Sequence, residues 1–134
     1  MKHTLLLDET KCRLFINENA GWQSAIKAQV KEIPQLKIML ANVQNADNIN
    51  GPADKTGTDI FFNSELMMQQ NEMKKLDEAI DEQQKKLLQD CDLKIQQDVD
   101  AFCNQDILRQ RIKAIEKTYI DLKCNFMNYL STIS

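Results

Sequence analysis

Chain breakers are scarce in this sequence. Its 134 residues include 3 Gly and 2 Pro, and aromatics make up 6%. Sheet proteins need frequent turn residues and runs of β-branched or aromatic side chains, so this composition favours long helices. The only histidine is His3. One His, near the chain start, leaves no base to pair with a Cys or Ser nucleophile. It also leaves none of the Glu-x-x-His pairs that build di-metal helical bundles. Cys12, Cys91, Cys103 and Cys124 form no CxxC pair, which excludes a zinc site of closely spaced ligands. They read as four small apolar fillers in a reducing compartment. No apolar run approaches the ~20 residues of a membrane span. Leu5-Leu6-Leu7 before Asp8 is too short for a signal-peptide core. The expectation is a soluble, cytoplasmic protein with no cofactor, no metal and no membrane partner.

Charge is present in ordinary amount but unevenly spread. Residues 1–50 carry six Lys/Arg and five Asp/Glu, residues 51–100 six and twelve, and residues 101–134 five and three. An acidic middle between two slightly basic flanks points to pairing within the chain. A nucleic-acid surface would want a basic excess. The basic run Arg109, Arg111, Lys113, Lys117 and Lys123 has no aromatic platform interleaved. No nucleic-acid partner is expected.

The clearest periodicity lies at Leu108, Ile112, Ile115, Tyr119, Leu122, Phe126, Tyr129 and Ile133. The steps alternate four and three, a heptad seam that must bury itself against another helix. Upstream, Cys12, Phe15, Ile16, Trp22, Ile26, Val30 and Ile33 make a second helical stripe. Gly21 weakens that helix by ~1 kcal/mol relative to Ala. Pro34 removes a backbone hydrogen bond, so a bend or break is expected there. Leu36, Met39, Leu40 and Val43 resume the stripe. A third stripe runs through Phe62, Leu66, Met73, Leu76, Ile80, Leu87, Cys91, Ile95, Val99 and Phe102, with spacing near 3.6. Asn50-Gly51-Pro52 lies in the clear loop, and Asn104-Gln105-Asp106 offers a second reversal. The reading is one all-α domain over residues 1–134: helix one at 8–47, bent at Pro34, a loop at 48–59, helix two at 60–102, and helix three at 106–132. Together they form an antiparallel three-long-helix bundle, coiled-coil-like and dimeric.

Reversals near residues 54 and 104 set the expected neighbours. Lys27 and Lys31 would lie beside Asp81 and Asp77. Asp98 and Asp100 would lie near Arg109 and Arg111, and Asp90 and Asp92 near Lys117. Helix three would then stop beside residue 76, leaving the tip without a third helix. That tip is the most apolar part of the chain. It carries the interaction candidates Met39, Leu40, Val43, Phe61, Phe62, Leu66, Met67, Met68 and Met73. Two helices cannot bury the triplets Ile38-Met39-Leu40 and Leu66-Met67-Met68, so a second copy or a partner helix is expected to cover them.

Two segments, Phe15-Ile16-Asn17-Glu18-Asn19 through Trp22 and Leu122-Lys123-Cys124-Asn125-Phe126-Met127-Asn128-Tyr129-Leu130, resemble a group of short bacterial helical proteins of coiled-coil-like character. The likeness covers about a quarter of the chain, which departs from the group in its Gly/Pro-bearing loop and at Pro34. It implies long helices and a bacterial cytoplasm, and brings no catalytic residues. A non-enzymatic interaction or scaffolding role is the expected function. A chaperone-like binder of a partner helix is the alternative, and a metal-binding bundle a distant one; the carboxylate pairs Asp77/Asp81 and Glu78/Glu82 read as a solvated face.

Overall fold

The computed structural model describes residues 9–50, 57–92 and 99–133, with side chains described over 10–42, 57–89 and 103–132. Three helices account for them: α1 Glu9–Asn50, α2 Gly57–Asp92 and α3 Val99–Ile133. There is no strand among the described residues. At 1.5 Å per residue the helices span about 50–60 Å. All three pack against one another, α1 with α2 most extensively and α1 with α3 least. The all-α three-helix bundle expected from the sequence is the observed fold.

The direction of each helix follows from its cross-links. Cys12 and Ile16 of α1 meet Leu87 and Gln84 of α2, so these two run antiparallel. Gln83 and Asp59 of α2 meet Gln105 and Tyr129 of α3, again antiparallel. Glu18 and Glu32 of α1 meet Arg109 and Lys123 of α3, so α1 and α3 run parallel.

The buried positions of α2 are 59, 62, 66, 69, 73, 76, 80, 83 and 87. They alternate steps of three and four without a break. The apolar residues alone suggest a looser 3.6 spacing, because Asp59, Gln69 and Gln83 occupy seam positions as buried polar side chains. In α3 the same rhythm runs through Gln105, Leu108, Ile112, Tyr119, Leu122 and Phe126, with Ile115 half-buried at the intervening place. In α1, Cys12, Asn19, Ile26, Ile33 and Leu40 recur every seventh residue. Among the described residues a main core of fifteen buried apolar side chains results, with Trp22, Val30, Ala79, Ile115 and Tyr129 packed against it, and Cys12 with Leu87 forms a second, smaller cluster.

α1 continues through Pro34, whose ring lies on the exposed side. Helix one is thus a single helix across Pro34, as expected, and the alternative of a break there is absent. Helix two ends at Asp92 rather than 102, and Asn104-Gln105-Asp106 is helical, inside α3. Val99 and Phe102, expected to close the second stripe, belong to α3.

The earlier reversal shifts the whole α2–α3 register and overturns the uncovered tip. α3 extends alongside the start of α2, where Phe126 and Tyr129 flank Phe62. The Phe62 ring centroid is 5.4 Å from Phe126, edge to face, and 5.2 Å from Tyr129. Asp59, in the first turn of α2, accepts a hydrogen bond from the Tyr129 hydroxyl. A third helix therefore covers the apolar end.

Candidate functional site

The tip sorts its nine candidate side chains into two sets. Leu40, Phe62, Leu66 and Met73 are core residues, at most 5% exposed, and cannot meet a partner in the folded chain. The sequence pattern places them on the surface because its register stops the third helix beside residue 76. Met39 (38%), Phe61 (53%), Met67 (56%) and Met68 (54%) are exposed. The Val43 side chain lies outside the described residues. Each apolar triplet does cover two faces: Leu40 and Leu66 point in, whereas Ile38, Met39, Met67 and Met68 remain wet.

Ile60, Phe61, Met67 and Met68 recur at i, i+1, i+7 and i+8, which places them on the side of α2 away from its buried seam. Phe61 rests edge to face on Phe62 at 5.4 Å, so the outer stripe is backed by the core. Between α2 and α3 runs a groove of two adjoining cavities that share Arg111. One is about 310 Å³ and includes Met68, Glu72, Leu76, Ala114 and Ile115 in its wall. The other is about 320 Å³ and is bounded by Ala79, Lys86, Asn104 and Ile107.

At the opposite end a polar cluster joins all three helices. Fully buried Gln105 donates from Nε2 to Asn19 Oδ1 at 2.7 Å and to Glu18 Oε1 at 2.9 Å. Its own oxygen accepts from Gln83 at 3.4 Å. Asn19 donates to Gln84 at 3.0 Å, and Gln84 donates to the Ile16 carbonyl at 2.9 Å. Arg109 closes the cluster with a forked pair onto Glu18, Nε to Oε2 at 3.0 Å and Nη2 to Oε1 at 2.8 Å. Such bidentate pairs fix geometry as well as charge. Partial burial opposes ionisation of Glu18, but the hydrogen bonds from Arg109 and Gln105, with the Arg109 charge, outweigh it. The carboxyl is held below its ordinary range. The same Glu18 bond raises Arg109.

A second α1–α3 link lies two heptads further on. Glu32 accepts from the Tyr119 hydroxyl and pairs with Lys123 at 2.9 Å. These two hydrogen bonds lower the Glu32 carboxyl, the Tyr119 bond most. Burial, then the bond to Glu32 and its charge, pushes the Tyr119 phenol well up, so it stays protonated.

Sequence reasoning missed this network. Its signal was the seven-residue spacing Cys12-Asn19-Ile26, in which Asn19 takes a core place. The ion pairs among the described residues are α1–α3 links or pairs within one helix. Arg109 is bound to Glu18 and Asp106, Lys123 to Glu32, and Asp81 to Lys85. Lys27 and Lys31 line one small cavity with Asp77 and Lys74. The Asp90, Asp92, Asp98 and Asp100 side chains lie outside the described residues, as does His3. The basic run of α3 is divided, because Arg109 and Lys123 face α1 whereas Arg111 faces the α2–α3 groove.

The cysteines also depart from expectation. Cys12 is buried and disulfide-bonded, with its Sγ 3.4 Å from the Leu87 carbonyl oxygen. A disulfide sulfur has no proton to donate, so that approach is a packing contact. Cys103 and Cys124 are free thiols and exposed, not core fillers. Among the described residues no group of three or more His, Cys, Asp or Glu side chains is placed to hold a metal, and no helix is long and apolar enough to cross a membrane. No protein-family model, curated protein or solved structure matches this chain.

Proposed function

We propose that this chain is a non-enzymatic interaction protein, a helical scaffold that offers an apolar, coiled-coil-like face to another protein. The observation that carries this reading is the outer stripe of α2. Isolated exposed apolar residues are ordinary. Four large ones within nine residues, all more than half exposed and on one helix face, form a contiguous patch of the kind that marks interaction sites. The non-enzymatic reading rests on how the polar side chains are used. Asn19, Gln105, Glu18 and Arg109 bond to one another across helices.

Met67 and Met68 of this stripe favour an adaptable binder of partner helices as the second reading, since thioether side chains fit varied shapes. A metal-binding bundle would need ligands beyond the described carboxylates, and stoichiometric metal in natively purified protein would replace the present reading. The proposed setting is aqueous. The Cys12 disulfide weighs against a strongly reducing one, and so against the cytoplasm.

The test uses F61K/M68K in the full chain. Both side chains are exposed, so the helical content should persist by circular dichroism. Loss of a partner captured by the native chain supports the reading, and undiminished capture with the doubly charged stripe refutes it.

A further inference from the structure

The buried polar cluster divides the interior into two unequal parts. In α1 Asn19 lies between Ile16 and Ile26, in α2 Gln83 lies between Ile80 and Leu87, and in α3 Gln105 precedes Leu108. On one side is the fifteen-residue core. On the other only Cys12 and Leu87 are buried, with Phe15 and Ile16 packed against them. Among the described residues α3 adds no side chain to this small cluster. The start of α1 and the end of α2 therefore meet as two helices with little apolar burial. So thin a contact poorly offsets the conformational entropy of ordering two helix ends, which makes this end one of the first parts of the bundle to open.

One covalent bond changes that balance. Cys12 is disulfide-bonded, and Cys103 and Cys124 are free thiols, so of the four cysteines only Cys91 is left as its partner. Cys91 follows Leu87 by one helical turn in α2, and the Leu87 carbonyl oxygen lies 3.4 Å from Cys12 Sγ. The bond ties the two helices where their packing is least. We propose that it is a redox latch. Oxidised, it keeps the start of α1 on the end of α2. A dithiol reductant attacks one sulfur and breaks the S–S bond. Two electrons and two protons pass to the cysteine pair, which becomes two thiols, and the dithiol becomes a disulfide. The two helix ends then separate and uncover Phe15, Ile16 and Leu87, whereas the core beyond the polar cluster stays folded. The outer stripe from Ile60 to Met68 lies at the other end of α2, so the latch goes beyond the partner-binding reading and does not rest on it.

Amide hydrogen exchange of the full chain, with and without a dithiol and read by peptide mass spectrometry, tests the proposal. Reduction should raise exchange over residues 9–17 and 84–92 about tenfold or more beyond any rise over 26–40, 62–80 and 112–126. C12S/C91S without reductant should behave as the reduced native chain, and C103S/C124S should keep the native response. Unchanged exchange at this end after reduction would overturn the latch. An equal rise along the whole chain would do so too, since the bond would then support the fold as a unit. So would a non-reduced peptide map that joins Cys12 to any cysteine but Cys91. F61K/M68K leaves the latch intact, so loss of partner capture with an unchanged redox response, or the reverse, tells the two proposals apart.

Discussion

Replacing Gln105 with leucine asks whether the buried polar cluster is a set of mutually dependent hydrogen bonds. The side chain is fully buried, and it is the donor to both Asn19 Oδ1 and Glu18 Oε1. Leucine fills nearly the same space, so little cavity is added. Asn19 Oδ1 loses its donor in a site at 0% exposure, which costs ~1–3 kcal/mol. Glu18 keeps its Arg109 fork, so the loss there is smaller. The burial of leucine itself returns part of the cost, which leaves a net loss of ~1–3 kcal/mol. With a urea slope of 1–3 kcal/mol per M, the midpoint should fall by roughly 1 M. The second arm converts Asn19, Gln83 and Gln105 to leucine together. Removing these three at once orphans no fully buried group of the cluster, since Glu18 keeps its Arg109 fork and Gln84, which loses its Asn19 donor, is half-buried, so the triple variant should recover part of the loss. Urea melts followed at 222 nm give both numbers. If Q105L alone were as stable as the native protein, or if the three changes were simply additive, the cooperative account of this layer would be wrong.

Acid should loosen the α1–α3 contact. Glu18 and Glu32 titrate lower in the folded chain than in the unfolded one, so their stabilisation is fully present above the ordinary carboxylate range, about pH 4.5, and is lost as pH falls through their folded values. Melting temperatures from pH 7 to 3 should drop less in E18Q/E32Q than in the native chain. Gly21 is exposed mid-helix, with nothing within 4 Å of the place a Cβ would take, so G21A should add ~1 kcal/mol and raise Tm by a few degrees. A lower Tm would mean that α1 needs flexibility there. L66A should cost ~2–5 kcal/mol, whereas M67A, one residue on and 56% exposed, should change stability by under ~0.5 kcal/mol. Equal effects would contradict the inside–outside division of the tip. Alkylation without reductant, read by peptide mass spectrometry, should label Cys103 and Cys124 but not Cys12, and prior reduction should expose Cys12. Labelling of Cys12 before reduction would refute its disulfide.

Helix identity was set locally. Scarce Gly and Pro, with apolar residues at three- and four-residue steps, are enough to specify long helices with one buried stripe each, and the seam from Leu108 to Phe126 is buried or half-buried throughout. The pattern also showed that the tip triplets need two faces. What required the folded chain was register. The segment after Asp92 and the segment read as a turn are both free of Gly and Pro, so no chain breaker separates them. A buried partner decides: Gln105 is helical because Asn19 and Glu18, nearly ninety residues earlier, take up its hydrogen-bonding groups. Once that layer is formed, α3 is positioned to bring Phe126 against Phe62, and Leu40, Phe62, Leu66 and Met73 are buried while Phe61, Met67 and Met68 stay outside. A stripe is a property of one helix, whereas the choice of facing residues belongs to a pair, and only tertiary contact fixes it.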